Sequence, residues 1–129
     1  MAKVTILQLL DPLKVFVEYE TQYEIYVAQC LQTGHLVTAD DANTAKEMIK
    51  ELLQDEVSLA VKNNDIRLLS NPAPMLLWVK FELAEKTNGA DTDTIKVEGE
   101  FSQELRVLIG HAEVKTEIRF ATGKTARAA

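Results

Sequence analysis

The chain has 129 residues, 47% of them hydrophobic, with one cysteine and a formal net charge of −6. That length and apolar content support one continuous core without disulfides or structural metal, and exclude disorder for the bulk of the chain. The acidic balance argues against nonspecific nucleic-acid binding, which needs cations to displace phosphate counterions, and suits a basic partner instead.

Residues 4–10, Val-Thr-Ile-Leu-Gln-Leu-Leu, read as a first strand or an N-terminal arm, ended by Asp11-Pro12, since proline removes an amide donor. Val15, Val17 and Tyr19 then alternate on one face of an extended segment over 14–20. In 23–31, Tyr23, Ile25 and Val27 fall on one side and Tyr26, Ala28 and Cys30 on the other, so this strand is expected to be covered on both faces. Cys30 reads as a small core residue, because nothing near it in sequence lowers a thiol pKa. Gln32-Thr33-Gly34 suits a tight turn with Gly34 at positive φ, and Leu36-Val37 is a short strand after it.

The clearest element is a helix opened by Asp40-Asp41. Ala45, Met48, Ile49, Leu52, Leu53, Val57 and Ala60 follow three-four spacing, with Lys46, Glu47, Lys50, Glu51, Gln54 and Asp55 opposite. Asp41 is placed to cap the first turn. Glu47 and Lys50 form an opposite-charge pair along the helix. Asn63-Asn64 ends it, through the tolerance of Asn for left-handed backbone.

Residues 65–70 form a connector, and Pro72 and Pro74 mark a boundary. The run 75–83, Met-Leu-Leu-Trp-Val-Lys-Phe-Glu-Leu, reads as a central strand, apolar on both faces at first and alternating later. That places Trp78 and Phe81 on opposite faces; stacking on bases is a poorer account of them than core packing. Residues 86–93 are polar and read as a loop. Ile95, Val97 and Phe101, and later Val114, Ile118 and Phe120, alternate with charged residues as half-exposed strands. Between them, residues 101–112 fit a strand (Leu105, Val107, Ile109) or a helix (Phe101, Leu105, Leu108, Ala112) equally well.

The expected architecture is α+β: a small, mainly antiparallel sheet, one long amphipathic helix on one face, and additional C-terminal strands. It divides into a core over 1–85, a polar loop over 86–93, a β extension of the same domain over 94–121 and a flexible tail over 122–129. Charge is uneven: residues 1–93 hold 8 Lys and Arg against 15 Asp and Glu, and residues 94–129 hold 6 against 5. No segment approaches the roughly 18 apolar residues of a membrane span, so a cytoplasmic location is expected.

Three segments carry a resemblance: Tyr26-Val27-Ala28-Gln29-Cys30-Leu31-Gln32-Thr33-Gly34, then Leu36-Val37-Thr38-Ala39-Asp40-Asp41-Ala42, then Ala45 and the helix. Together they resemble the HicB-like antitoxin domain over about residues 14–83. The resemblance implies a partial ribonuclease-H-like fold without nuclease activity. It also implies a small basic partner of the HicA type, an RNA-cleaving protein whose active surface is masked. Many members of that family carry a C-terminal DNA-binding module; residues 94–129 show no helix-turn-helix pattern here.

A metal-dependent nuclease needs converging carboxylates. Glu18, Glu20, Asp40 and Asp41 are the candidates, and Asp40 and Asp41 are better explained by helix entry. His35 and His111 are too few for a His-rich metal site, and both are expected to face solvent. Gly123-Lys124-Thr125 lacks the earlier glycine of a phosphate loop, since Ile118 holds that position. The expected function is therefore a non-enzymatic protein-binding module with no cofactor, metal or catalytic residue. Glu18, Glu20 and Glu24 would meet a small basic protein by charge complementarity. The alternatives are an oligomeric structural or accessory protein, whose strands over 94–101 or 113–120 pair across subunits, and an enzyme of unrecognised type. A homo-oligomer is expected; membrane and nucleic acid are not.

Overall fold

The computed structural model describes residues 6–8, 12–63, 65–97, 107 and 113–123. The described elements are β1 (Ile6–Gln8), β2 (Leu13–Glu20), β3 (Ile25–Cys30), β4 (Leu36–Ala39), α1 (Ala42–Lys62), a 3₁₀ turn (Ile66–Leu69), α2 (Met75–Asn88), β5 (Asp91–Lys96) and β6 (Glu113–Thr122). The class is α+β, with one six-stranded sheet.

Register fixes the order of that sheet. Lys115 pairs with both Gln8 and Lys96, and Ile118 with both Leu13 and Asp93. A strand residue has only two hydrogen-bonding sides, so β1 and β2 share one side of β6 and β5 takes the other. β1 and β2 are two stretches of a single position, separated by residues 9–12. The order across the sheet is β5, β6, β1 with β2, β3, β4. β6 runs parallel to β1 and β2; the other three pairings are antiparallel. β6 is therefore interior to the sheet, flanked by β5 over 115–120 and by β1 and β2 over 113–115 and 118–122. Any pairing across subunits among the described strands falls to the outer side of β5 or β4.

β2 alternates as its sequence does. Val15, Val17 and Tyr19 are buried on one face, while Phe16, Glu18 and Glu20 point to the other. The first face is covered by α1, whose Ala45, Ile49, Leu53, Val57 and Ala60 form one buried stripe against Ala28, Cys30, Ile95, Ile118 and Phe120. Each fully buried aliphatic side chain of this kind contributes about 1.5–3 kcal/mol, so this layer supplies most of the core. Met48, assigned by spacing to the buried side, is instead largely exposed.

α1 starts as expected: Asp41 accepts from the Thr44 amide (2.8 Å) and the Thr44 hydroxyl (2.7 Å). Its end differs. Asn63 is right-handed, with φ −86°, and stops the helix because its amide side chain donates to the Leu59 carbonyl (3.0 Å). The lysines also differ. Lys50 pairs with Asp93 (2.8 Å) rather than Glu47, and Lys46 with Asp91 (3.4 Å), which fastens α1 to β5. Gly34 does adopt positive φ (76°), and a Cβ there would overlap the Asn71 carbonyl oxygen.

The main correction is at 75–88. This run is α2, not a strand, and it covers the second face of the sheet. Phe81 and Ala84 are buried with Phe16, Leu31, Ala73 and Ala121, and Leu77 and Trp78 pack against them. Pro74 precedes the first turn, where a missing amide donor costs nothing, and Leu, Lys, Glu and Ala then favour helix. The long helix α1 is thus accompanied by a second, on the opposite face. Residues 86–93 are accordingly not a loop: they are the last turn of α2, the connector Gly89-Ala90 and the start of β5. Val107 has helical backbone and is exposed, which fits the helical alternative at that position. Phe101, Leu105, Leu108, His111 and the tail beyond Gly123 lie outside the described residues.

Candidate functional site

α2 lies across the strands. Lys14 and Arg119 are opposed in the β2–β6 ladder, as are Phe16 and Ala121. Phe81 and Ala84 sit over the second of these rows. On one flank of the helix Glu85 reaches Arg119 (3.2 Å); on the other Lys80 reaches Glu18 (3.5 Å). The helix covers β6 and β2 and stops there. On β3 and β4 the same face of the sheet carries Ile25, Val27, Gln29 and Leu36, of which Leu36 is exposed and the rest are half-buried.

Much of the outward side of α2 is apolar, with the exposed pair Glu82 and Lys86 (3.5 Å) beside it. Met75 is 81% exposed, Leu76 66%, Val79 47% and Leu83 61%. Positions 75, 79 and 83 repeat every four residues, and Leu76 lies beside them, so they share one strip of helix surface. Scattered exposed leucines are ordinary on a protein surface, but a contiguous strip over two turns is not.

This strip overlooks a groove of about 360 Å³ lined by Phe16, Glu18, Lys80, Leu83, Ala84, Thr87, Asn88 and Gly123. Gly123 keeps it open: a Cβ there would stand 2.9 Å from the Phe16 ring and 3.2 Å from the Glu18 Cβ. The structure thus puts two of the three expected partner-binding acids on the groove side. Glu18 forms part of the wall, and Glu20, two residues on, shares its face and accepts from the Gln22 amide (3.0 Å). Glu24 ends the turn beyond, exposed and at φ 52°. The groove's one lining acid, Glu18, is paired with Lys80, and its helix side mixes Leu83 and Ala84 with Lys80, Thr87 and Asn88.

The other candidates of the sequence separate. Asp41 is the α1 cap, and the Thr44 hydrogen bonds hold its carboxyl below the usual aspartate range. No group of three or more His, Cys, Asp or Glu able to hold a metal ion occurs among the described residues. Cys30 is fully buried, and burial pushes its thiol up despite hydrogen bonding to Thr33 and Gln32, which leaves it unreactive. His35 does not face open solvent: it is three-quarters buried, with Nε2 3.7 Å from the Glu56 carboxylate, and Nδ1 is buried without a hydrogen-bond partner. No helix among the described residues is long and apolar enough to cross a membrane.

The strip residues Met75, Leu76, Val79 and Leu83 are absent from the sequence-based candidates, because in sequence the run reads as a central strand emerging to solvent. The signal that could have found them is the double proline followed by fourteen residues of mostly helix-forming composition. No protein-family model, curated protein or solved structure matches the chain.

Proposed function

We propose that this chain is a non-enzymatic protein-binding module whose docking surface is the outer strip of α2 together with the Glu18–Glu20 side of the groove. The partner is a small basic protein that lays an apolar segment along Met75, Leu76, Val79 and Leu83. The observation that carries this reading is the exposed strip itself. Among the described residues it belongs to neither buried cluster, since α2 is anchored through Phe81 and Ala84. Acids beside an apolar strip, in a chain of net charge −6, favour a cationic amphipathic partner and steer its approach. This agrees with what the resemblance to HicB-like antitoxin domains implies, a small basic protein masked by a catalytically inert domain.

The test is calorimetric titration with the product of a small basic reading frame neighbouring this gene. Leu76→Glu and Leu83→Glu should each weaken binding at least tenfold. Glu18→Lys with Glu20→Lys should slow association and flatten its salt dependence. Full affinity retained by all of these variants refutes the reading. The same strip also supports a second reading, self-association. If the purified chain is a dimer by light scattering, and Leu76→Glu with Leu83→Glu makes it a monomer, the strip is a subunit interface.

A further inference from the structure

On the opposite flank of α2 lies a larger cleft, about 710 Å³, with a different chemistry. Its lining comes from four separated stretches of chain: Pro12, Leu13 and Lys14; Gln32 and Thr33; Arg67, Leu69 and Ser70; and Trp78 with Arg119. The volume falls in the range of small-ligand sites, as does the mixture of apolar wall and a few converging polar groups. Three of the lining residues are cations and none is an acid, in a chain where Asp and Glu outnumber Lys and Arg by 20 to 14.

Two of those cations are held by acids outside the lining. Arg67 makes a two-pronged contact with Asp65 (2.9 and 3.1 Å), and Arg119 meets Glu85 (3.2 Å). A guanidinium carries five donors, so each keeps donors free for an anion. Lys14 differs from both. Its ammonium lies 5.7 Å from the centroid of the Phe81 ring, and among the described residues no carboxylate stands within ion-pair distance. Among the described residues it is the one cation of the cleft without an ion pair, although Glu82 and Glu85 line the neighbouring pocket with it.

The polar walls are fixed in advance. Gln32 accepts from the Lys14 amide (2.9 Å) and donates to the Pro12 carbonyl (3.0 Å), which locks the floor. The Thr33 hydroxyl accepts from the His35 amide (3.3 Å). The Trp78 indole donates through Nε1 to the Ala73 carbonyl (3.1 Å), so the ring is held in one orientation as a cleft wall. A preformed cationic cleft with a fixed indole beside it matches an anion that also bears a flat ring.

We infer that this cleft binds a small phosphorylated ligand carrying a planar ring, of the nucleoside monophosphate class, with Lys14 as the principal anion contact, Arg67 and Arg119 at its sides and Trp78 against the ring. This is independent of the docking surface, from which the body of α2 separates it.

The test uses the full chain and three probes: adenosine monophosphate, adenosine and inorganic phosphate. Binding is followed by calorimetry and by the fluorescence of Trp78, the only tryptophan. Saturable binding of the monophosphate with a change in Trp78 emission is expected, at least tenfold tighter than either adenosine or phosphate alone. Lys14→Ala should lose at least tenfold. Arg67→Ala should lose several-fold; that side chain is solvent-exposed, so folding is not at issue. The inference is overturned if the monophosphate binds no tighter than phosphate, if Trp78 emission is unmoved on saturation, or if both variants bind as the wild type does.

Discussion

Phe81 and Leu83 lie two residues apart, and their substitution separates a strand from a helix at this point in the chain. On a strand the two would share a face and cost similar amounts to truncate. On α2 they point in nearly opposite directions: Phe81 is 2% exposed among Phe16, Leu31, Ala73, Ala84 and Ala121, and Leu83 lies on the outer strip. Phe81→Ala should therefore cost about 3–5 kcal/mol, the range for deleting a buried ring. Loss of the Lys14 contact over that ring adds about 0.5–1 kcal/mol. Against a total stability of about 5–15 kcal/mol for a domain of this kind, that is a severe loss. Leu83→Ala should stay within about 0.5 kcal/mol, because it removes little buried area and alanine is the better helix former. Urea unfolding followed through Trp78 gives both numbers. With a slope of about 2 kcal/mol per molar, the Phe81→Ala midpoint falls by about 1.8–3 M while that of Leu83→Ala hardly moves. Comparable losses at the two positions would refute the helical placement, and with it the docking strip and the separation of the two flanks.

Three further outcomes follow from particular contacts. Gly34→Ala forces a side chain into left-handed backbone, costing about 1–3 kcal/mol, and also displaces the Asn71 carbonyl. A loss above about 2 kcal/mol in thermal or urea unfolding is expected, and a loss under half of that would show the close approach to be wrong. Asp41 has its folded pKa lowered by the Thr44 hydrogen bonds. Its contribution is present above the unfolded aspartate value of about 3.9, and is lost as the pH falls through the lower folded value. Asp41→Asn keeps the cap but should flatten the acid limb of a stability–pH curve; an unchanged limb counts against this cap as its source. The Lys50–Asp93 pair raises the lysine pKa and lowers the aspartate pKa, chiefly through their shared hydrogen bond, so its contribution fades at both extremes of pH. Both groups are partly exposed, and a double-mutant cycle should give a coupling of about 0.5 kcal/mol that shrinks in 1 M salt; a coupling above about 2 kcal/mol would mean the pair is screened from solvent.

The parts legible in the sequence are those where one local rule acts alone. α1 has a capping aspartate, a clean buried stripe and a polar outer side, and β2 alternates except at Phe16, so their periods survive in the residue order. Gly34 is legible because no other residue type suits its backbone. α2 is different. Its inner side buries Phe81 and Ala84, its outer side exposes Met75, Leu76, Val79 and Leu83, and two apolar sides cancel the periodicity that marks a helix. The property that hides the helix is the one on which the proposed docking surface rests. The shared position of β1 and β2 beside β6 is invisible for another reason: parallel pairing across about a hundred residues leaves no turn signal. The cationic cleft draws on Lys14, Arg67 and Arg119, so Trp78 looks isolated from positive charge until the fold closes.

The two flanks of α2 act together on any approaching cation. Glu18 and Glu20 stand on one side of the helix, and Lys14, Arg67 and Arg119 on the other. On the proposed reading, a basic partner would meet a local gradient across the width of one helix, attractive toward Glu20 and repulsive toward Lys14, with Glu18, Arg67 and Arg119 each offset by its own ion pair. Screening shortens such fields to about 8 Å at physiological salt, comparable with the roughly 10 Å diameter of a helix, so the gradient persists over the distance at which orientation is decided. Apolar contact with Met75, Leu76, Val79 and Leu83 is non-directional and could seat a partner from either side. The charges select the side. Substitutions at Glu18 and Glu20 should therefore alter the rate and direction of docking, and substitutions on the strip should alter how long the partner stays.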